Sequence, residues 1–232
     1  MQQPCLVISG ASRGIGLATA ERFLEAGYKV INLSRRKPPL EGIHHIEADM
    51  SEPGWINAVE SALLATVEGA SPLVLIHNAG LLLKDTVDDV DLAPAMQINV
   101  IAAAQLNRVL LPRMLAGSSV IYVGSTLSEK AVSNTFSYSV SKHAVVGMMR
   151  ATCQDLAGRD IHTACVCPGF TETEMLVDHV GGSDEVLEAI AGNMTFNRLI
   201  EPGEIAETLY FAAANPVING AILHANLGQV EH

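Results

Sequence analysis

A chain of 232 residues with 49% apolar content is long enough for one substantial domain, and nothing in it marks a division into two. Its formal net charge of −11 argues against nucleic acid or an anionic membrane surface as partner, and no apolar run approaches membrane-spanning length. The amino terminus enters an apolar stretch without a basic flank or a small-residue cleavage site, so no signal peptide is expected and the chain reads as cytoplasmic.

The predicted elements alternate. Leu6–Ser9 is a short buried strand, followed by the glycine-rich run from Gly10 to Gly16 and a helix with Leu17, Ala20, Phe23 and Leu24 on one face. That helix stops at Gly27. Lys29–Leu33 is a second strand, His44–Ala48 a weaker third, and Trp55–Val67 a helix. Leu73–His77 is the fourth strand, Met96–Leu115 a long helix and Val120–Gly124 the fifth strand. A helix carrying Tyr138 then runs toward Leu156, with Ser133 and Asn134 placed to cap it. Ile161–Cys167 is the sixth strand, Pro202–Ala214 a helix and Ala221–His224 the last strand. Strands separated by helices of this length need right-handed crossovers, which give a parallel sheet covered on both faces, a doubly wound α/β fold.

Two motifs carry chemistry. Gly10, Gly14 and Gly16 sit between the first strand and first helix, where they let the backbone turn sharply and approach a pyrophosphate at the helix amino terminus. An NAD site places an acidic residue about twenty positions further on. The second strand instead ends Ser34-Arg35-Arg36-Lys37, without a carboxylate. Arg13, in the glycine loop, and Arg35 suit a 2′-phosphate, so NADP(H) is predicted over NAD(H). The second motif joins Tyr138 and Lys142, one helical turn apart, to Ser125 at the carboxyl end of the fifth strand. A free phenol is a poor base near neutrality, and an adjacent ammonium favours its phenolate. The phenol can then exchange a proton with a substrate oxygen that Ser125 holds, while hydride moves on the carbon.

The four cysteines, Cys5, Cys153, Cys165 and Cys167, have no zinc spacing and read as reduced core thiols; the eight histidines are scattered. No metal is assigned.

These residues together resemble the short-chain dehydrogenase/reductase family over essentially the whole chain. Ser9-Gly10-Ala-Ser-Arg-Gly14-Ile-Gly16 is similar to the family's Thr-Gly-x-x-x-Gly-x-Gly. His77-Asn78-Ala79-Gly80 is similar to Asn-Asn-Ala-Gly with histidine in the first place. Asp49, Asn99, the Ser125–Tyr138 interval of thirteen, Pro168-Gly169-Phe-Thr171 and Arg198-to-Glu204 match further family segments in order. The resemblance implies a three-layer Rossmann fold with a mostly parallel seven-stranded sheet, residues 1–232 forming one domain with a substrate lid at about 170–197. It implies Tyr138 as acid/base, Lys142 as its partner and a ribose ligand, Ser125 as substrate anchor, and Asn99 as holder of a relay water. It implies a cofactor site of Gly10, Ser12, Arg13, Gly14, Ile15, Gly16, Ser34, Arg35, Asp49, Met50, Asn78, Ala79, Gly80, Pro168, Gly169 and Thr171, joined by Tyr138 and Lys142. A homodimer or homotetramer is expected, although Ala225-Asn226-Leu227-Gly228 departs from the family's Val-Asp-Gly-Gly.

Within the lid, Gly181-Gly182 and Gly192 are expected to act as hinges. Met175, Leu176, Val177, Met194 and Phe196, facing Leu81, Leu82 and Leu83, are expected to form an apolar wall for a small carbonyl or alcohol substrate. Two functions follow: NADPH-dependent reduction of a ketone or aldehyde, or a catalytically silent dinucleotide-binding regulator or scaffold.

Overall fold

The computed structural model describes residues 3–229. Seven parallel strands form one sheet: β1 (Cys5–Ser9), β2 (Lys29–Ser34), β3 (Ile43–Glu47), β4 (Leu73–His77), β5 (Ser119–Val123), β6 (His162–Pro168) and β7 (Ile222–Ala225). Their order is β3-β2-β1-β4-β5-β6-β7. The chain moves outward from β1 in both directions, so the crevice beyond the carboxyl ends of β1 and β4 is the topological switch point, where such sheets bind ligands.

The four strands β1, β4, β5 and β6 are buried along their full length, as a parallel sheet covered on both faces requires. The edge strands β3 and β7 are only partly covered, which explains the weak apolar pattern of β3. Side chains alternate between two cores. One holds Trp55, Leu63, Leu106 and Tyr122 beneath α2 (Trp55–Val67), α4 (Ala102–Leu110) and α5 (Phe136–Asp155). The other holds Phe23, Ile121 and Leu209 beneath α1 (Gly14–Glu25) and α8 (Pro202–Ala214). The sheet, its parallel sense and its seven strands agree with the expectation from sequence.

Two helices differ from that expectation. The predicted continuous helix 96–115 begins earlier, as α3 (Leu92–Met96), and passes through a π turn at Gln97–Ile101 before α4. It ends in a tight turn at Leu111–Arg113, because Pro112 has no N–H to continue the ladder. The helix carrying Tyr138 is not capped by Ser133 or Asn134. Its Ser137 N–H is taken by Asp85 Oδ1 at 3.1 Å, from a loop 52 residues upstream. A cap supplied across the fold leaves no local signature.

The segment expected to form a lid contains two short helices, α6 (Glu174–His179) and α7 (Asp184–Gly192). Gly181 and Gly182 between them hold positive φ, 71° and 72°. Gly192 ends α7 without one.

Candidate active site

Hydrogen bonds across the switch point build the floor of the site. Ser9 Oγ, at the end of β1, accepts from the backbone N–H of Asn78 (3.1 Å) and of Ala79 (3.0 Å). Asn78 Nδ2 returns bonds to the carbonyls of Ser9 (3.1 Å) and Gly10 (2.9 Å). The ends of β1 and β4 are thereby laced together, and the glycine loop is held rigid. Gly16 must be glycine: a Cβ there would overlap Gly10 O and lie 2.5 Å from Asn78 Nδ2. No side chain caps α1, whose flanking residue Arg13 is extended. Its first N–H groups therefore face the cleft with the helix's positive end, a fit for a dinucleotide's phosphates.

Asn32 on β2 supports the same loop. Its Oδ1 accepts from Ala11 N at 2.8 Å, and its Nδ2 donates to Ser34 Oγ at 2.8 Å. Ser34 Oγ donates in turn to Arg36 O at 2.7 Å, so this hydroxyl shapes the turn that presents Arg35 and Arg36. Asp49 accepts from both the hydroxyl and the N–H of Ser51, which hold its carboxyl below the ordinary range.

At the catalytic end, Ser125 follows β5 and opens a single turn at Thr126–Ser128. Ser125 Oγ accepts from Leu127 N (3.1 Å), and Ser128 Oγ accepts from Ser125 N (3.0 Å). This reciprocal cap fixes the Ser125 side chain and leaves its O–H to donate. Lys142 is 4% exposed; its Nζ donates to Val123 O at 2.8 Å and lies 5.5 Å from the centre of the Tyr138 ring. Two ammonium protons remain for other acceptors.

Of the residues expected at the site, all but Asn99 line one cleft of about 390 Å³. Asn99 lies behind it, in the π turn. Its carboxamide accepts from Leu81 N (2.7 Å) and donates to Leu81 O (3.0 Å) and Ser141 Oγ (2.8 Å). The Asn99 side chain therefore stitches the loop after β4 to α5. The apolar wall is also redrawn. Leu81, Leu82, Met175 and Leu176 line the cleft, joined by Leu127 and Val132, whereas Leu83, Val177, Met194 and Phe196 do not. Met194 is buried in the core under α8 and Phe196 is 66% exposed.

Several supporting residues were not expected. Ser128 was visible in principle, since Ser125-x-x-Ser128 has the spacing of a reciprocal cap. Ser9 is marked in the sequence only by the family motif, and Asn32 and Asp85 act through contacts distant in sequence, with no local signal. His77 belongs to a buried relay: its Nε2 meets Asn107 Oδ1 (2.8 Å), Asn107 Nδ2 donates to Tyr122 OH (2.7 Å), and that hydroxyl meets Thr152 Oγ1 (2.8 Å). Cys165 and Cys167 share one face of β6, as expected, with sulfurs 3.8 Å apart and both thiols free.

The family model described as enoyl-(acyl carrier protein) reductase matches residues 10–229. The chain belongs to the short-chain dehydrogenase/reductase family. The 3-oxoacyl-[acyl-carrier-protein] reductase MabA of Mycobacterium tuberculosis is 28% identical over 240 residues, covering 96% of this chain and 91% of that protein. Carbonyl reductase family member 4 of Xenopus laevis is 27% identical over 246 residues, with full coverage of both chains. A short-chain dehydrogenase family protein of Francisella tularensis superposes with a TM-score of 0.88 at 27% identity, covering 98% of each chain. As a short-chain dehydrogenase/reductase, the chain is an oxidoreductase acting on a CH–OH or carbonyl group with a nicotinamide dinucleotide. Among the described residues, no helix is long and apolar enough to cross a membrane.

Proposed function

We propose that the protein is an NADPH-dependent reductase that converts a ketone or aldehyde to an alcohol, with Tyr138 as the acid. The observation that carries this reading is the presence of Ser125, Tyr138 and Lys142 on the same cleft as the uncapped glycine loop. When bound, the reduced nicotinamide supplies hydride to the carbonyl carbon. Ser125, fixed by its reciprocal cap, donates its O–H to the substrate oxygen. Tyr138 gives its phenolic proton to that oxygen as negative charge develops there. The buried Lys142 ammonium stabilises the charge left on the Tyr138 oxygen and offers its remaining protons to ribose hydroxyls. Thr171, which also lines the cleft, suits the nicotinamide carboxamide.

NADPH is favoured over NADH because Arg13, Arg35 and Arg36 all line the cleft. No carboxylate stands at the end of β2 to bind a free 2′-hydroxyl. The names of the curated relatives favour a carbonyl compound as substrate, and the apolar wall favours one with a hydrophobic body. A homodimer or homotetramer is part of the proposal, and light scattering at micromolar concentration tests it. For activity, loss of NADPH absorbance is followed across diketones, quinones, acyl thioesters and pterin-like carbonyls, with Tyr138→Phe as the blank. Turnover by wild type alone supports the reading; equal activity in the variant refutes the mechanism. The alternative, a silent dinucleotide-binding scaffold, has no observation in its favour, since serine, tyrosine and lysine are all retained.

A further inference from the structure

The mechanism leaves a buried thiol beside it unused. Cys167 stands near the end of β6, next to Pro168 and Gly169, which line the cleft in the segment expected at the nicotinamide. The β5–β6 ladder ends where Gly124 N–H donates to Val166 O at 2.7 Å, one residue before each strand reaches the cleft. There the Cys167 sulfur turns toward β5. A Cβ placed on Gly124 would lie 2.7 Å from Cys167 Sγ, 2.8 Å from Cys165 Sγ and 2.9 Å from Ser128 Oγ. Two sulfurs and a hydroxyl therefore close around the residue that precedes Ser125. Cys167 is fully buried, so neither substrate nor oxidant reaches its sulfur, and hydrogen bonding is what remains to it.

Its neighbours make that sulfur an acceptor. The two thiols are 3.8 Å apart. Cys165 is pushed up by its bond to Cys167 and then by burial, so it keeps its proton and donates. Cys167 receives that bond, together with bonds from Ser125 N–H and the Ser128 hydroxyl, and all three lower its pKa against the opposing effect of burial. Ser128 has a single hydroxyl proton. Spent on Cys167, it leaves the oxygen's lone pairs to Ser125 N–H at 3.0 Å. That bond is one half of the reciprocal cap on Ser125, and the other is Leu127 N to Ser125 Oγ at 3.1 Å. Without the sulfur the Ser128 hydroxyl is free to rotate, and Ser125 loses part of what holds it.

Building on the carbonyl-reductase reading, we propose that Cys167 is a positioning residue for Ser125. Its sulfur orients the Ser128 hydroxyl and, through it, ties the turn that carries Ser125 to the strand that carries Pro168 and Gly169. The link continues past the last backbone bond of the ladder, between the substrate anchor and the nicotinamide segment. Cys167 acts through Ser128 and touches neither substrate nor cofactor.

The test compares wild type, C167A, C167S, S128A and the double variant S128A/C167A. Steady-state kcat and KM are measured with whichever diketone, quinone, acyl thioester or pterin-like carbonyl wild type reduces fastest, and NADPH affinity by fluorescence titration. C167A and S128A should each lower kcat by roughly tenfold while NADPH affinity stays within about twofold of wild type. The double variant should be no worse than either single one, because both break the same link. C167S, which keeps an acceptor in that place, should recover most of the loss. A sulfur that only fills space predicts the opposite order, with C167A equal to or better than C167S, because a buried hydroxyl without a bonding role is a cost. That order, or losses that add in the double variant, overturns the Cys167 role and leaves the reductase reading standing. If C167A does not fold, C167V, which fills the space and lacks the acceptor, takes its place in the same comparison. Absence of turnover by wild type with every carbonyl removes the reductase reading and this role with it.

Discussion

His77 stands at the carboxyl end of β4 and is 6% exposed, with its ring packed 4.8 Å from that of Tyr122. Asn107 Nδ2 is spent on Tyr122, so Asn107 Oδ1 must be the acceptor and His77 Nε2 the donor. Nδ1 is then the unprotonated nitrogen, buried with no partner. Burial opposes a second proton and lowers the imidazole pKa from 6.5 to about 4, against a smaller upward pull from Asn107. Above pH 6.5 the ring is neutral in folded and unfolded chains and has no effect on pH dependence. Below it the unfolded chain takes up a proton that the folded chain refuses, so stability falls with pH until the folded ring also titrates near pH 4. The loss is about 2 kcal/mol at pH 5 and levels off at roughly 3 kcal/mol. Urea unfolding of wild type and His77→Asn at pH 7 and pH 5 measures this directly, because the other carboxylates and histidines titrate in both proteins. Wild type should lose about 2 kcal/mol more than the variant across that interval. Parallel losses, equal within about 0.5 kcal/mol, would refute a buried neutral imidazole at this position.

Tyr138→Phe should lower kcat by roughly 10²–10⁴-fold while leaving nicotinamide dinucleotide binding intact, as measured by fluorescence titration. Arg35→Ala should weaken NADPH binding by roughly tenfold or more and leave NADH affinity nearly unchanged; equal effects on both would remove the 2′-phosphate assignment. Gly124→Ala would place a Cβ 2.7 Å from Cys167 Sγ and 2.9 Å from Ser128 Oγ. It should cut kcat more than it raises the KM for cofactor, since Ser128 positions Ser125. Asp85→Ala removes the cap on Ser137 N and should cost about 1 kcal/mol in thermal or urea unfolding, with Asp85→Asn recovering most of it.

The sheet was readable in the amino-acid order because burial on both faces forces near-continuous apolar runs, as in Leu73–His77, and helix Trp55–Val67 was readable from its helical spacing of buried Trp55, Val59, Leu63 and Val67; both agree in bounds with the folded elements. The glycine loop, the Tyr138–Lys142 spacing and Ser125 were readable too, because each is set by a few residues of one strand end or one helical turn. Decisions taken between distant segments were not readable. Ser9 lacing β1 to the Asn78 loop, Asp85 capping α5, Asn99 holding Leu81, and Gln229 entering from the far end of the chain all depend on pairings 18 or more residues apart or on packing alone. Local periodicity reports which face of an element is buried, since that is a property of neighbouring residues. Which polar group finds which partner is settled only when the crossovers bring separate strand ends to one crevice, and that step belongs to the tertiary fold.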